Sequence, residues 1–509
     1  MAVLIGGESL RMYLALGQSW LSPNPDTSPV DWTTMTWTEI TSYVVSGKIS
    51  RGRQRPVDDW QSATCELLLN NKDGRFDPRV LDGPYADGDG ISQCRLDTPI
   101  KVETVSLNFG GGGTVYSRFA GLTGVFPVSR EKRAAAWVTL KSWDMLSFVN
   151  RFPFSGKLPR ESVKNRMWRL LDYVGWPAAS VSSPYYRRTY GTDVGTECAP
   201  AYVVGSTVGA EMLRALRTEG PNAYAHFDRT GAFTLAFRNT IFSGSYPTPV
   251  AEFSTAERDK RFASVVWSPD SQDYYNQVSI AFLTTTSTPV TLTCTGTTPV
   301  LGDGFVGVEA IEGAVPIDEQ VDFGLARVAT LSAAARAGDD AIYVDALDSD
   351  IPVGSVAVYS PSTVIKADNA EQAIHGKRVA PAREICSDDV DFAHAMAEDI
   401  MSVSTDSAPR ILSIQVDGRR SQTNAEAIIA DIVLLSTITI TDVPDYATLA
   451  PAVGQTVESV DMVVQGYTDT FSLGQWQTDY YVSPRPAKTY SLLDDAATCT
   501  LGTTATAGF

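Results

Sequence analysis

Histidine is nearly missing from this chain: 509 residues carry three, His226, His375 and His394. None belongs to a His-x-x-x-His or Glu-flanked pair, so the ligand set of a zinc hydrolase is not present. Each reads as an ordinary structural residue. Cysteine is equally sparse. Cys65, Cys94, Cys198, Cys294, Cys386 and Cys499 include no Cys-x-x-Cys pair, which argues against a Cys-rich zinc site or a dense disulfide framework. Free thiols in a reducing compartment are the expectation. Positive charge is also short: 41 Lys and Arg against 59 Asp and Glu leave a formal net charge of −18. Nucleic-acid grooves need clustered cations, so none is expected here. Such a surface would let a polyanion pass without holding it.

Long apolar runs are lacking as well. The most apolar stretch, "AIIADIVLLSTITI" (Ala427 to Ile440), has fourteen residues and contains Asp431. That is too short to span a bilayer and reads as a core strand, or as a short helix followed by a strand. "MAVLIGGESL" shows neither a basic leader nor an apolar region of signal-peptide length, so a soluble chain without an export signal is expected. Catalytic patterns are missing too. "GSTVG" has no Ser at the centre that a nucleophile elbow needs, and Gly110 to Gly113 lead into no Gly-Lys-Ser/Thr of a phosphate loop. A carboxylate pair for glycoside hydrolysis stays open, because its members need not be close in sequence; 59 acidic residues single out no pair. No catalytic, cofactor-binding or metal-ligating residue emerges, and no enzyme activity is expected.

What the chain does have is strand signal. With 43% hydrophobic and 20% charged residues it is a folded protein of two to four domains. β-Branched and aromatic runs cut by Gly, Pro, Asn and Asp follow one another in the first third: "WTEITSYVVSGKISRG", "ATCELLLNN", "TPIKVETVSLNF", "TVYSRFAGLTGVFPV" and "AAWVTLKSWDML". Their near-regular spacing suggests a barrel or sandwich. Three helices interrupt. Val163, Met167, Leu170, Leu171 and Val174 share one helical face, as do Val208, Met212, Leu213 and Leu216. A third helix follows Ser387, read as its N-cap, with Asp388 and Asp389 in the first turn. "AYAHFDRTGAFTLAFRN" reads as a hairpin turning at Asp228 to Gly231. A Gly- and Ala-rich stretch from about Pro299 to Pro361 reads as an insertion with a small strand pair.

Two polar stretches could suggest ions. In "NNKDGRFDP" (Asn70 to Pro78), aligning Gly74 with the glycine of a calcium loop puts Leu69 and Val80 at ligand positions, where neither can coordinate a hard cation. A turn ending the "CELLLN" strand fits better. In "YADGDG", Asp87 and Asp89 likewise suit a Gly-rich turn more than an ion site. Adjacent tyrosines, Tyr185-Tyr186 and Tyr274-Tyr275, could bind sugars, with packing at the rim of a barrel as the plainer reading.

The order of parts resembles the minor tail proteins of long-tailed phages infecting actinobacteria. Those chains show an Arg-Gly-Arg element, an Asn-x-Asp-Gly-Arg-Phe-x-Pro turn and a Phe-x-Gly strand; here these are Arg51-Gly52-Arg53, Asn71 to Pro78 and Phe119-Ala120-Gly121. Gly175-Trp176, "GAFTLAFR", Asn276 to Val278, "AIHGKR" (Ala373 to Arg378), the helix after Ser387, "VGQTV" and "GYTDTFSLGQWQTDYYVSP" follow in similar order. The arrangement is similar to the hub fold of phage baseplates and type VI secretion spikes. The resemblance implies a mainly β fold with a smaller α+β part: two hub-type β-barrels, a helix-containing insert and a small β insertion. The expected domains are 1–155 (first barrel), 156–245 (α+β insert), 246–300 (strands continuing into the barrels), 301–365 (small β insertion), 366–490 (helix and second barrel) and 491–509 (tail).

The implied function is structural. A homotrimeric hub at the tail tip would close the tail tube, adapt a sixfold tube to a threefold tip, and open for the tape-measure protein and DNA. Its implied partners are the distal tail protein, the tape-measure protein and other minor tail proteins, with genomic DNA only in transit, no cofactor and no stable membrane insertion. The implied location is the virion tail tip, after assembly in the host cytoplasm. Two alternatives stay open: a sixfold distal-tail ring component, and a surface glycan-binding or glycan-cleaving protein.

Overall fold

The computed structural model describes residues 3–5, 8–18, 32–55, 58–105, 113–130, 136–176, 188–190, 195–199, 201–220, 223–237, 248–254, 261–268, 274–291, 304–307, 320–322, 328–330, 341–344, 355–404, 410–441, 459–472, 474–484, 490–491 and 506–507. Tyr185-Tyr186, Cys294, Cys499, "VGQTV" and most of the stretch after 491 lie outside the described residues.

The fold is mainly β, as the runs of β-branched and aromatic residues imply. Fifteen strands form one continuous sheet. Nine come from the first third: β1 (Val3–Ile5), β2 (Glu8–Leu14), β3 (Thr38–Glu39), β4 (Val44–Gly52), β5 (Gln61–Asn70), β6 (Pro99–Val105), β7 (Val115–Val125), β8 (Val128–Arg130) and β9 (Ala136–Trp143). Six come from later: β10 (Pro249–Ser254), β11 (Ser264–Ser268), β12 (Arg410–Asp417), β13 (Thr437–Thr441), β14 (Ser459–Ser472) and β15 (Gln475–Pro484). The main path runs β1-β2-β6-β7-β9-β5-β4-β14-β15-β12-β11, with β3 on β2, β8 on β9, and β13 joining β10 to β14. The early and late strands therefore make two halves, joined where β4 pairs with β14.

Period-two patterning explains the inward face. Along β5, Ala63, Cys65, Leu67 and Leu69 are buried while Thr64 and Glu66 face solvent. In register across the ladder, Leu67 and Leu69 meet Leu140 and Val138 of β9, all fully buried. Each such side chain contributes about 1.5–3 kcal/mol by leaving water, and a one-residue slip would turn the whole set outward.

Short α1 (Met145–Val149) follows β9, capped by Asp144. α2 (Val163–Tyr173) and α3 (Val208–Thr218) pack against each other. Their apolar faces are the expected ones, with Val163, Met167, Leu170, Leu171, Val208, Met212 and Leu216 buried. Ser162 and Thr207 cap them, accepting from the amides of Asn165 and Ala210 at 3.3 and 3.2 Å. The expected hairpin forms as Tyr224–Phe227 against Phe233–Ala236.

Gln277–Thr291 leaves the main sheet. It pairs with Ser355–Ala367 in a five-stranded sheet that also holds Gln320–Asp322, Val328–Thr330 and Arg383–Glu384. α4 (Asn369–His375) and α5 (Val390–Ser404) follow Ser355–Ala367 in the chain. α5 buries Ala393, Met396, Ala397 and Ile400 in a second, separate core with Val278, Ile280 and Ile385. Its cap differs from expectation. Asp389 Oδ1 accepts from the amides of Asp391 and Phe392 at 2.8 and 3.1 Å, while Ser387 Oγ accepts from Asp389 two residues earlier. The carboxylate is the better acceptor at a helix start, so Asp389 takes the cap and Ser387 shapes the turn before it. After α6 (Gln422–Glu426), the apolar stretch at 427–440 resolves into a π-turn at Ala427–Asp431 and then β13.

Candidate functional site at the seam of the sheet

The Arg-Gly-Arg element lies on the seam. In register, Gly52 faces Gly466, Arg51 faces Tyr467 and Ser50 faces Thr468. Gly52 has φ +84°, and a Cβ there would stand 2.5 Å from the Gln465 carbonyl oxygen; a Cβ on Gly466 would stand 2.4 Å from that of Arg53. Two backbones touch here, and only glycine on both strands permits it. The flanking arginines point into the protein and are buried. Arg53 Nε donates to Gln465 Oε1 at 2.9 Å, and its guanidinium lies over the rings of Trp60 and Tyr224, 5.0 and 4.7 Å from their centroids. Burial lowers its pKa, while Tyr224, Asp58 and Asp59 oppose that. Arg51 donates to the Phe227 carbonyl in the helical insert's hairpin. Its Nε and Nη2 are buried without a partner among the described residues.

Two more arginines secure the late half. Arg118 of β7 forms a buried ion pair with Asp469 of β14 and donates to the Ile428 carbonyl at 2.6 Å. Arg229, in the turn of the insert hairpin, donates to Tyr467 Oη at 3.0 Å and to the carbonyls of Ile429 and Ile432 at 3.0 and 2.5 Å. A helix leaves its last carbonyls without partners, and here two guanidinium groups from other parts of the chain satisfy those of the π-turn. Burial alone would raise the Tyr467 hydroxyl's pKa; Arg229, Arg51 and Arg118 outweigh it and hold it lower. Four arginines from β4, β7 and the insert thus converge on β14 and the π-turn. The convergence offers rigid union of three parts of the chain.

The residues singled out from sequence fall elsewhere or serve packing. His226 is half-buried, with its Nδ1 shut from solvent, and stacks on Trp60, 5.7 Å between centroids; desolvation and then the Arg51 charge push its pKa down to about 3. His375 ends α4 with Glu371 at 3.6 Å, and His394 is exposed on α5. In the Asn70–Pro78 turn, Asn71 Oδ1 accepts from the Phe76 amide at 2.9 Å, while Asp73 and Asp77 pair with Arg75 and Arg79. Asp87 Oδ1 accepts from the amides of Asp89 and Ile91, and its other oxygen meets Arg95 at 3.2 Å. Among the described residues, no three His, Cys, Asp or Glu side chains are grouped to hold a metal. Tyr274 corrects the picture of an open ring: it is 5% exposed and its hydroxyl bonds to Glu371. Arg118, Arg229, Gln465 and Asp469 had no sequence signal, because isolated polar residues in strands and turns show no spacing that marks them as partners.

Solved structures similar to this chain include phage tail proteins and a component of type VI secretion. One is the 43 kDa tail protein of prophage MuSo2 from Shewanella oneidensis: 9% identity, TM-score 0.47, covering 94% of this chain and 98% of that one. A tail protein from Neisseria meningitidis is 8% identical with TM-score 0.47, over 93% and 96% of the two chains. A component of the type VI secretion system of E. coli is 7% identical with TM-score 0.37, over 87% and 74%. No protein-family model matches the chain, and no curated protein does.

Proposed function

We propose that this chain is a non-enzymatic structural component of a phage tail tip, a homotrimeric hub. The single observation that carries the reading is the seam. The Arg-Gly-Arg element, flagged by the order of motifs, is the strand end that joins early and late strands into one sheet. In this reading the two halves are the two hub barrels, expected at 1–155 and 366–490, with strands from 246–300 completing the later one. The insert at 156–245 and the small insertion at 301–365 sit outside that ring. Three copies then present six similar barrels to a sixfold tube and a threefold face to the tip. The net charge of −18 suits a passage for DNA, since phosphates are repelled and not trapped. The distal tail protein and the tape-measure protein are the proposed neighbours, and the virion tail tip is the proposed location.

Mass photometry of the purified chain, with class averages from negative stain, tests this. Threefold rings with a central hole are the expected result. Sixfold rings would overturn it in favour of a distal-tail ring protein, and a monomer that binds glycans would replace it with a surface glycan-binding role.

A further inference from the structure

A cleft of about 620 Å³ opens beside the seam, lined by Lys48, Arg51, Arg53, Arg55, Arg217 and Arg383. Two carboxylates share it, Asp58 and Asp59. Both are already engaged: Asp58 holds Arg55 at 2.9 Å, and Asp59 holds Arg217 at 2.5 Å. Arg51 and Arg53 turn their guanidinium groups inward, so Lys48, Arg55, Arg217 and Arg383 against the two acids leave the cleft an excess of two positive charges in a chain whose total is −18. Its walls come from three bodies: β4 with β14 and β15, the last turn of α3, and the 381–383 segment of the five-stranded sheet. Arg383 is the most crowded member. Burial first, and then the charge of Arg53, pull its pKa down to about 10, against the opposing influence of Asp59. Cations held this close repel one another, and an anion placed among them relieves that repulsion.

We propose that this cleft binds a compact, multiply charged oxyanion, a diphosphate or a tricarboxylate, through the forked guanidinium donors that line it. Planar guanidinium groups match carboxylate and phosphate oxygens two at a time, and the volume suits a ligand of that size. Occupation would brace α3 and the 381–383 segment against the seam.

Isothermal titration of the full chain with pyrophosphate, and separately with citrate, tests the site. Saturable binding at one site per chain is expected with at least one of them, weaker at high salt. Pyrophosphate alone would assign a phosphate ligand, citrate alone a carboxylate, and both a general polyanion. Arg383→Gln should weaken binding roughly tenfold or more, the effect of losing a charged hydrogen-bond donor. Lys48 is exposed on the outer face of β4, so Lys48→Glu spares the core, and it should weaken binding in the same direction. Lys141→Gln on β9, outside the cleft, should leave binding unchanged. The proposal is overturned if neither probe binds the wild type saturably, or if Arg383→Gln and Lys48→Glu both bind as the wild type does.

Discussion

Arg118 and Asp469 form an ion pair whose side chains are each 2% exposed, on strands from opposite halves of the sheet. Asp469 also accepts from Thr478 Oγ1 at 2.6 Å, and Arg118 donates to the Ile428 carbonyl, so neither charge is left short of partners. Burial works against the Arg118 charge; Asp469 and the nearby tyrosines outweigh it and raise its pKa. Removing one member leaves the other charged and dry. Asp469→Leu or Arg118→Met should each cost about 3–5 kcal/mol of stability, whereas the two together should cost far less than the sum. Urea unfolding of the four proteins closes the cycle. A double-variant cost equal to the sum of the two single costs would show that the pair adds nothing beyond packing.

The two glycines of the seam give a second prediction. Gly52→Ala meets both a backbone conformation that alanine avoids and the Gln465 carbonyl oxygen at 2.5 Å. Gly466→Ala meets the Arg53 carbonyl oxygen at 2.4 Å. Each should lower stability by at least about 2 kcal/mol and open the β4–β14 ladder. Amide hydrogen exchange along β4 and β14 would report that opening directly. Gly88→Ala, with nothing within 4 Å of its added Cβ, should leave the melting temperature unchanged.

How much of this was legible depends on range. The apolar faces of α2 and α3 and the Asn71–Pro78 turn follow from local spacing, because helical period and turn chemistry act over a few residues. The short helix and strand at 427–440 were one of two readings the sequence left open. The pairing of β4 with β14 has no local signature: it joins residues 44–52 to 459–472, and only the Arg-Gly-Arg resemblance pointed to the spot. Arg118, Arg229 and Asp469 were silent for the same reason. Their partners are distant in sequence, and burial alone makes them matter. Tyr274 follows the plainer of its two readings, packing, and Glu371 of α4 holds its hydroxyl.

His226 sets a pH dependence. It is half-buried with its Nδ1 enclosed and neutral, with a folded pKa of about 3, against about 6.5 in the unfolded chain. Below about 6.5 the unfolded state takes up a proton that the folded state refuses, so stability falls as pH falls. The slope approaches about 1.4 kcal/mol per pH unit between the two pKa values. Asp144 has the opposite tendency, since burial raises its folded pKa, and it is common to wild type and variant. Subtracting the stability curve of His226→Phe, which keeps a ring against Trp60, should therefore leave the histidine slope alone. Parallel curves between pH 6.5 and 4.5 would contradict a neutral imidazole.

Cys198 and Cys386 come together although no spacing in the chain marks them as a pair. The Ala199 amide donates to the Cys386 carbonyl at 2.6 Å, and the Cys386 amide donates to Thr218 Oγ1 at 2.8 Å. Both thiols are buried. The neighbouring Cys198 thiol lowers the Cys386 pKa and Cys386 raises that of Cys198; Arg166 and Arg214 add to the lowering, and burial opposes it. A thiolate beside a second thiol is the arrangement that oxidises to a disulfide. Diamide should join them, one diamide accepting the two electrons and two protons that the pair gives up. A non-reducing peptide map of the treated native protein should show the Cys198–Cys386 linkage, and Cys198→Ser should abolish it. Cys65 and Cys94 behave differently. Burial pushes both thiols up, Cys94 to about 12, so both should stay unmodified by iodoacetamide until the chain is unfolded. Prompt alkylation of Cys65 or Cys94 in the native protein, or a treated protein in which Cys198 and Cys386 both remain free, would count against this account of the thiols.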